Sequence, residues 1–184
     1  MPVDSTKACG DRPGLMADPV MGRAAIMMAA FSLMQGLPAY FFSVGLPALL
    51  RDQGASLAMV GMTYVIWLPL AFQWLWAPAF DAPRIAPFGT RMNWLRVLPI
   101  GLALVFGLVA VFPPTGSSAP LLAISFACSA ITATIRILLG AWVIHGTNAR
   151  QRALANAAGV AAMVLGGIAG GAAMLHVGQT HGWT

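Results

Sequence analysis

Three stretches of the chain carry no charged residue: Ala24 to Leu50, Gln53 to Phe80 and Val97 to Ile135, runs of 27, 28 and 39 residues. A soluble domain of this size does not bury such runs. A bilayer does, because its hydrocarbon core takes about 20 apolar residues per helix and offers charges no water. Backbone polar groups in lipid must be satisfied within the segment, so each crossing is read as a helix. The longest run is broken by Pro113-Pro114-Thr115-Gly116-Ser117-Ser118-Ala119-Pro120, which has turn chemistry and reads as a hairpin. The expected fold is an all-α integral membrane protein with five transmembrane helices. They fall at about residues 23–50, 56–79, 94–112, 121–144 and 154–177, after a polar, Pro/Gly-bearing tail at 1–22.

Local signals refine these elements. The first helix holds two Gly–Leu–Pro steps, Gly36-Leu37-Pro38 and Gly45-Leu46-Pro47, and is expected to bend, since proline removes a backbone donor. Gly54 reads as a C-terminal cap and Ser56 as the N-cap of the second helix. A cleaved signal peptide is not expected: the first apolar segment begins late and runs too long.

Composition adds little beyond confirming the class, with 59% hydrophobic and 8% charged residues against about 25% charged in ordinary domains. Net charge changes the picture more. At +5 it could point to nucleic acid, yet the basic residues sit between apolar runs and form no patch, so no nucleic-acid partner is expected. Their distribution instead sets topology. Lys7, Arg12 and Arg23, then Arg84, Arg91 and Arg96, then Arg150 and Arg152 fall on one side, with Arg51 alone on the other. The positive-inside rule places the N-terminus in the cytoplasm and the end of the fifth helix across the membrane. Cys9 and Cys128 lack metal-ligand spacing, and no disulfide is expected.

The chemistry-bearing residues are few. Gln35, Tyr40 and Gln73 are candidates for a polar path through the first two helices; the plainer reading is hydrogen bonding to neighbouring helices. Arg136 lies roughly two turns from the cytoplasmic end of the fourth helix. It reads either as a cation for an anionic substrate or as a side chain snorkelling to the headgroups. In the fifth helix Gly166/Gly170 and Gly167/Gly171 form small-xxx-small pairs, which serve static packing or a helix that moves along a substrate path. His145, His176 and His181 stand near helix ends without a second metal ligand. No catalytic constellation, phosphate loop, metal site or cofactor motif is present, and an enzyme is not expected.

The first helix through the second-to-third loop resembles the major facilitator superfamily, and more narrowly its branch of muropeptide permeases and siderophore permeases of the rhizobactin/pyochelin type. The residues carrying the resemblance are Gln35-Gly36-Leu37-Pro38, Gly45-Leu46-Pro47 and Leu50-Arg51-Asp52-Gln53-Gly54. They continue with Trp67-Leu68-Pro69, Leu75-Trp76-Ala77-Pro78, Asp81, and Gly89-Thr90-Arg91 with Trp94-Leu95. Ala153 to Gly171 is similar to the branch's fifth helix, and Gly182-Trp183 to the start of its sixth. The resemblance implies a cytoplasmic gating loop formed by Asp81, Arg84, Gly89 and Arg91, latched by charge-assisted contacts. It also implies the N-terminal part of a twelve-helix fold in the bacterial inner membrane, an incomplete six-helix bundle whose partner would be the C-terminal half. Secondary-active uptake of a small solute follows, a ferric siderophore first and a muropeptide second, with a coupling proton. A non-transporting remnant or scaffold is the rival. One departure stands out: Ile135-Arg136-Ile137-Leu138-Leu139-Gly140 replaces a Gln-Asp-Ile-Ala-Thr-Asp-like tract. Family codons read one base out of phase give Arg-Ile-Leu-Leu, so a local frame slip is expected over Arg136 to Leu139, which the encoding DNA would decide.

Overall fold

The computed structural model describes residues 19–80, 89–110 and 118–181, and every element in them is helical. Helix α1 (Pro19–Tyr40) passes through a π-helical turn (Phe41–Gly45) into α2 (Leu46–Asp52). The second apolar segment is α3 (Leu57–Met62), a 3₁₀ turn (Thr63–Ile66), α4 (Trp67–Ala71) and two more 3₁₀ turns, Gln73–Leu75 and Ala77–Phe80. Helix α5 (Arg91–Gly107) ends in a 3₁₀ turn (Leu108–Ala110), and α6 (Ser118–Gly146) and α7 (Ala149–His181) complete the chain. Among the described residues, four stretches are long and apolar enough to cross a membrane: Gly22–Asp52, Leu57–Leu75, Ala119–Gly146 and Ala149–Ala172. The third expected span, α5, has 17 residues and is shorter than these. The protein is thus an all-α membrane protein. The tail at 1–18, Asp81 and Arg84 of the expected gating loop, the hairpin at 113–117 and Gly182-Trp183 lie outside the described residues.

Several boundaries differ from the sequence reading for local reasons. Helix α1 is already formed at Pro19, where the described residues begin, four residues before the expected Arg23. Helix α7 begins at Ala149 where Leu154 was expected. The cause is a reciprocal cap: Gln151 N–H donates to Asn148 Oδ1 at 2.9 Å, and Asn148 N–H donates to Gln151 Oε1 at 3.0 Å. Helix α5 starts at Arg91 because the Thr90 hydroxyl accepts from Asn93 N–H at 3.4 Å. The second helix, expected unbroken over 56–79, is interrupted; Pro69 and Pro78 each remove a donor from it.

The first span distorts at the expected place. Pro47 cannot donate to the Ser43 carbonyl, and just before it the backbone register widens, with Leu46 N–H donating to Phe41 O. Gly54 and Ser56 act as the pattern foretold. Gly54, at φ 78°, donates to Arg51 O at 3.0 Å while Ala55 N–H reaches Leu50 O at 2.9 Å, a Schellman end. Ser56 then caps α3 by accepting from Met59 N–H at 3.3 Å.

Two kinds of packing hold the bundle. At the junction of α1 and α2, Phe41 and Phe42 are fully buried and meet Phe106 of α5 edge-to-face, with ring centroids 5.7 and 5.9 Å apart. Leu46, Leu95, Leu102, Ile124, Cys128 and Leu138 continue this core. Along the other side, α1 lies directly on α7 with glycine between the backbones. Gly159 sits beside Met28 and Ser32, Gly166 beside Leu33, and Gly170 beside Leu37. Residue numbers rise together along both helices, so α1 and α7 run parallel. The α4 segment and the 3₁₀ turn before it pack on α6, where the Ser129 hydroxyl donates to the Ile66 carbonyl. That bond supplies a partner to a backbone acceptor in an irregular stretch that lipid would leave unsatisfied. Ser129→Ala is expected to lower unfolding stability by about 1–2 kcal/mol. A graded denaturant titration in micelles measures it, and the loss should exceed that of Ser43→Ala, whose hydroxyl donates only to Ala39 O of its own helix, at 2.7 Å.

Candidate functional site

Two sets of polar side chains inside the spans differ in their bonding. Thr63, Ser125 and Thr134 donate to carbonyls one turn back in their own helices, at 2.7 to 2.9 Å. Their hydrogen-bonding capacity is spent locally. Ser32, Gln35, Arg136 and Asn156 behave otherwise: none has a hydrogen-bond or ion-pair partner among the described residues. All four line one open cleft of about 330 Å³ between α1, α6 and α7.

Each helix reaches this cleft along a single face. Helix α1 contributes Met28, Ser32 and Gln35, spaced by four and three residues; α6 contributes Arg136, Leu139 and Gly140; α7 contributes Asn156, Gly159, Val160 and Met163. Gln35 is 4% exposed, whereas Arg136 and Asn156 are exposed to the cleft mouth. At 1.5 Å rise per residue, Gln35 and Arg136 lie about 3 and 5 Å from the middles of their apolar stretches, while Asn156 lies one turn beyond Arg152, nearer the start of α7. Gln35 and Arg136 therefore sit near mid-depth, with Met28, Met163, Leu139 and Val160 supplying the apolar lining.

Charge is unbalanced here. Asp52, at the end of α2, is the sole carboxylate among the described residues, so no acidic side chain among them faces Arg136 within the bundle. The tract read as a frame slip packs as ordinary helix: Ile135 and Leu138 are fully buried and Leu139 nearly so, while Arg136 is open to the cleft. Helix α6 runs on to Gly146, which sets Arg136 ten residues, about 15 Å, from the helix end and deeper than the sequence placed it.

The remaining candidates are spread over other places. Tyr40 is half-buried with its ring over Gly167, inside the α1–α7 seam and away from the cleft. Gln73 lies half-buried in a 3₁₀ turn of the second segment and does not line the cleft. Gly166, Gly167 and Gly170 all face α1; Gly171 has open space beside its α-carbon and takes no part in the seam. The mirror residue on α1 is Gly36, where an added β-carbon would lie 3.0 Å from the Gly167 nitrogen. Of the gating-loop residues, Gly89 adopts φ 81°, a conformation that suits glycine. Arg91 Nε donates to the Phe80 carbonyl at 3.1 Å, and Phe80 meets Trp94 edge-to-face at 5.5 Å, which ties the end of the second segment to the start of α5.

Ser32 and Asn156 were missed from sequence. Asn156 is the one amide between Leu154 and Ala172 of α7, and a polar residue in so apolar a helix was the available signal. Ser32 gave none, because serine in a membrane helix ordinarily bonds its own backbone. No protein-family model matches the chain, and no solved structure matches it significantly.

Proposed function

We propose that the chain forms part of a secondary permease of the bacterial inner membrane, moving a small solute by alternating access. The mid-depth polar cleft carries this reading. Polar groups are costly in hydrocarbon and are kept where they face a cavity, and transporters place their solute sites near the bilayer midplane.

Helix directions support a five-span weave. Because α1 and α7 run parallel, α7 starts on the side where α1 starts. The chain between them must then cross an odd number of times. The Leu57–Leu75 stretch and α6 account for two crossings, so α5 makes the third. Its 17 residues and the following 3₁₀ turn span about 31 Å, enough for the hydrocarbon. Helix pairing fits as well. Inverted three-helix repeats exchange the first helix with the fourth and the second with the fifth. Such a symmetry turns a first–fifth pair into a fourth–second pair, and both pairs occur here as α1 on α7 and the α4 segment on α6. This is the support for a major facilitator half, beside the motifs quoted above. A ferric siderophore is the leading solute on the motif resemblance alone, with a muropeptide second. Asp52, at a helix end, is the one carboxylate in the described spans, so a carboxylate-coupled proton cycle would draw its group from outside them.

Two measurements test the reading. Alkaline phosphatase fused after Thr184 should be active, and a fluorescent protein there dark, as for an extracytoplasmic end. Deleting the gene should lower radio-iron chelate accumulation several-fold, and Gln35→Leu should reproduce the loss. A cytosolic reporter signal overturns the weave; unchanged accumulation overturns the solute.

A further inference from the structure

The cleft holds a cation with no partner among the described residues. Arg136 stands about 5 Å from the middle of its apolar stretch, facing a cavity that no described carboxylate enters. An unpaired guanidinium at such depth is costly, and arginines placed there ordinarily meet a counter-charge or water. The groups around it are of one kind. Gln35, 96% removed from solvent and unbonded, presents its amide to the cleft, and Asn156 presents a second amide from α7. Ser32 adds a hydroxyl. Amides donate through two N–H bonds each and a guanidinium through five, so donors outnumber acceptors around the space.

We infer that this cleft is a binding site for an oxyanion, the carboxylate, hydroxamate or phosphate group of a ligand. In it Arg136 grips two oxygens in a fork while the Gln35 and Asn156 amides donate from the facing helices. Met28, Met163, Leu139 and Val160 receive the ligand's apolar portion. The site deepens the permease reading by naming the chemical class of its solute, and it rests on that reading only for the membrane embedding. A cleft of about 330 Å³ takes one donor-bearing arm of a bulky chelate, the rest lying over the open mouth. An oxyanion could come from a dissolved solute or from an anionic lipid headgroup. Depth favours the solute, because headgroup phosphates lie at the membrane surface.

The test uses the full chain in phosphatidylcholine nanodiscs, with citrate as the soluble probe, and in nanodiscs containing phosphatidylglycerol without citrate. Citrate is expected to bind and to raise the melting temperature. Arg136→Gln should weaken binding at least tenfold, Arg136→Lys less because it keeps the charge and loses the fork, and Asn156→Leu several-fold. Without ligand, Arg136→Gln should melt higher than the parent chain, because an uncompensated charge has been removed. Stabilisation by phosphatidylglycerol that disappears in Arg136→Gln, with citrate displaced, assigns the same site to a headgroup. Equal responses of the parent and Arg136→Gln to both probes, or a lower melting temperature for ligand-free Arg136→Gln, overturns the inference. Binding is read without transport, so a failed uptake assay leaves the site standing, and absent binding leaves the permease reading to its own tests.

Discussion

Gly166→Ala and Gly170→Ala are each expected to force α1 away from α7, while Gly171→Ala leaves the protein unchanged. A β-carbon on Gly170 would lie 2.6 Å from the Leu37 carbonyl oxygen and 2.7 Å from its α-carbon. On Gly166 it would meet the Leu33 backbone, with the α-carbon at 3.1 Å. These are backbone atoms of a packed helix and cannot rotate aside as a flexible side chain would. Overpacking of this kind costs on the order of 1–3 kcal/mol, which lowers the melting temperature of a chain this size by about 5–10 °C. In lipid the effect bears directly on the fold, because helices there associate through close packing without a hydrophobic driving force. Gly171 has nothing within 4 Å of an added β-carbon, so alanine is accommodated and helix propensity improves. Thermal unfolding of the three variants in one detergent decides the matter. Equal melting temperatures would show that the seam does not hold the bundle.

Phe42→Ala is expected to cost about 2 kcal/mol in a bilayer or micelle, set by the cavity it leaves. The ring is fully buried between Phe41 and Phe106, with centroids 5.1 and 5.9 Å away. In a soluble protein the same truncation would also forfeit transfer from water, and the loss would reach about 3–5 kcal/mol. Lipid removes most of that transfer contribution, because acyl chains are as apolar as the protein interior. Trp74 supplies the contrast. It is 65% exposed on the second segment, and Trp74→Ala should change stability by less than about 0.5 kcal/mol. Reversible unfolding of both variants by denaturing detergent measures the difference. A loss at Trp74 as large as at Phe42 would mean that its exposed face is covered by protein.

Helix existence was legible because charge avoidance over 27 or more residues has one physical explanation, burial in hydrocarbon. The distortion of the first span was legible too, since proline at position 47 removes a donor wherever the helix sits, and a π-helical turn precedes it. Helix ends were less so. Asn148 and Gln151 look like loop residues until their reciprocal bonds are seen to start α7, and an Asn-x-x-Gln spacing was the clue passed over. The interrupted second segment shows the converse. Its prolines were visible, yet a 3₁₀ turn at Thr63–Ile66 ahead of Pro69 depends on α6 offering Ser129 to the Ile66 carbonyl.

For the site, Gln35 and Arg136 could be named from the chain alone because a polar group in an apolar run is conspicuous by its cost. Tyr40 was named by the same logic and landed elsewhere, since an aromatic ring can cover a glycine as readily as line a path. Residue type and spacing by themselves determined that this is a helical membrane protein and which few side chains resist the lipid. Which of those side chains share a cavity was decided only in three dimensions. Gln35, Arg136 and Asn156 stand on three different helices, far apart along the chain, and nothing local relates them. The α1–α7 seam does so, because only glycine-to-backbone contact sets the depth at which Gln35 meets Asn156 and leaves Arg136 facing both.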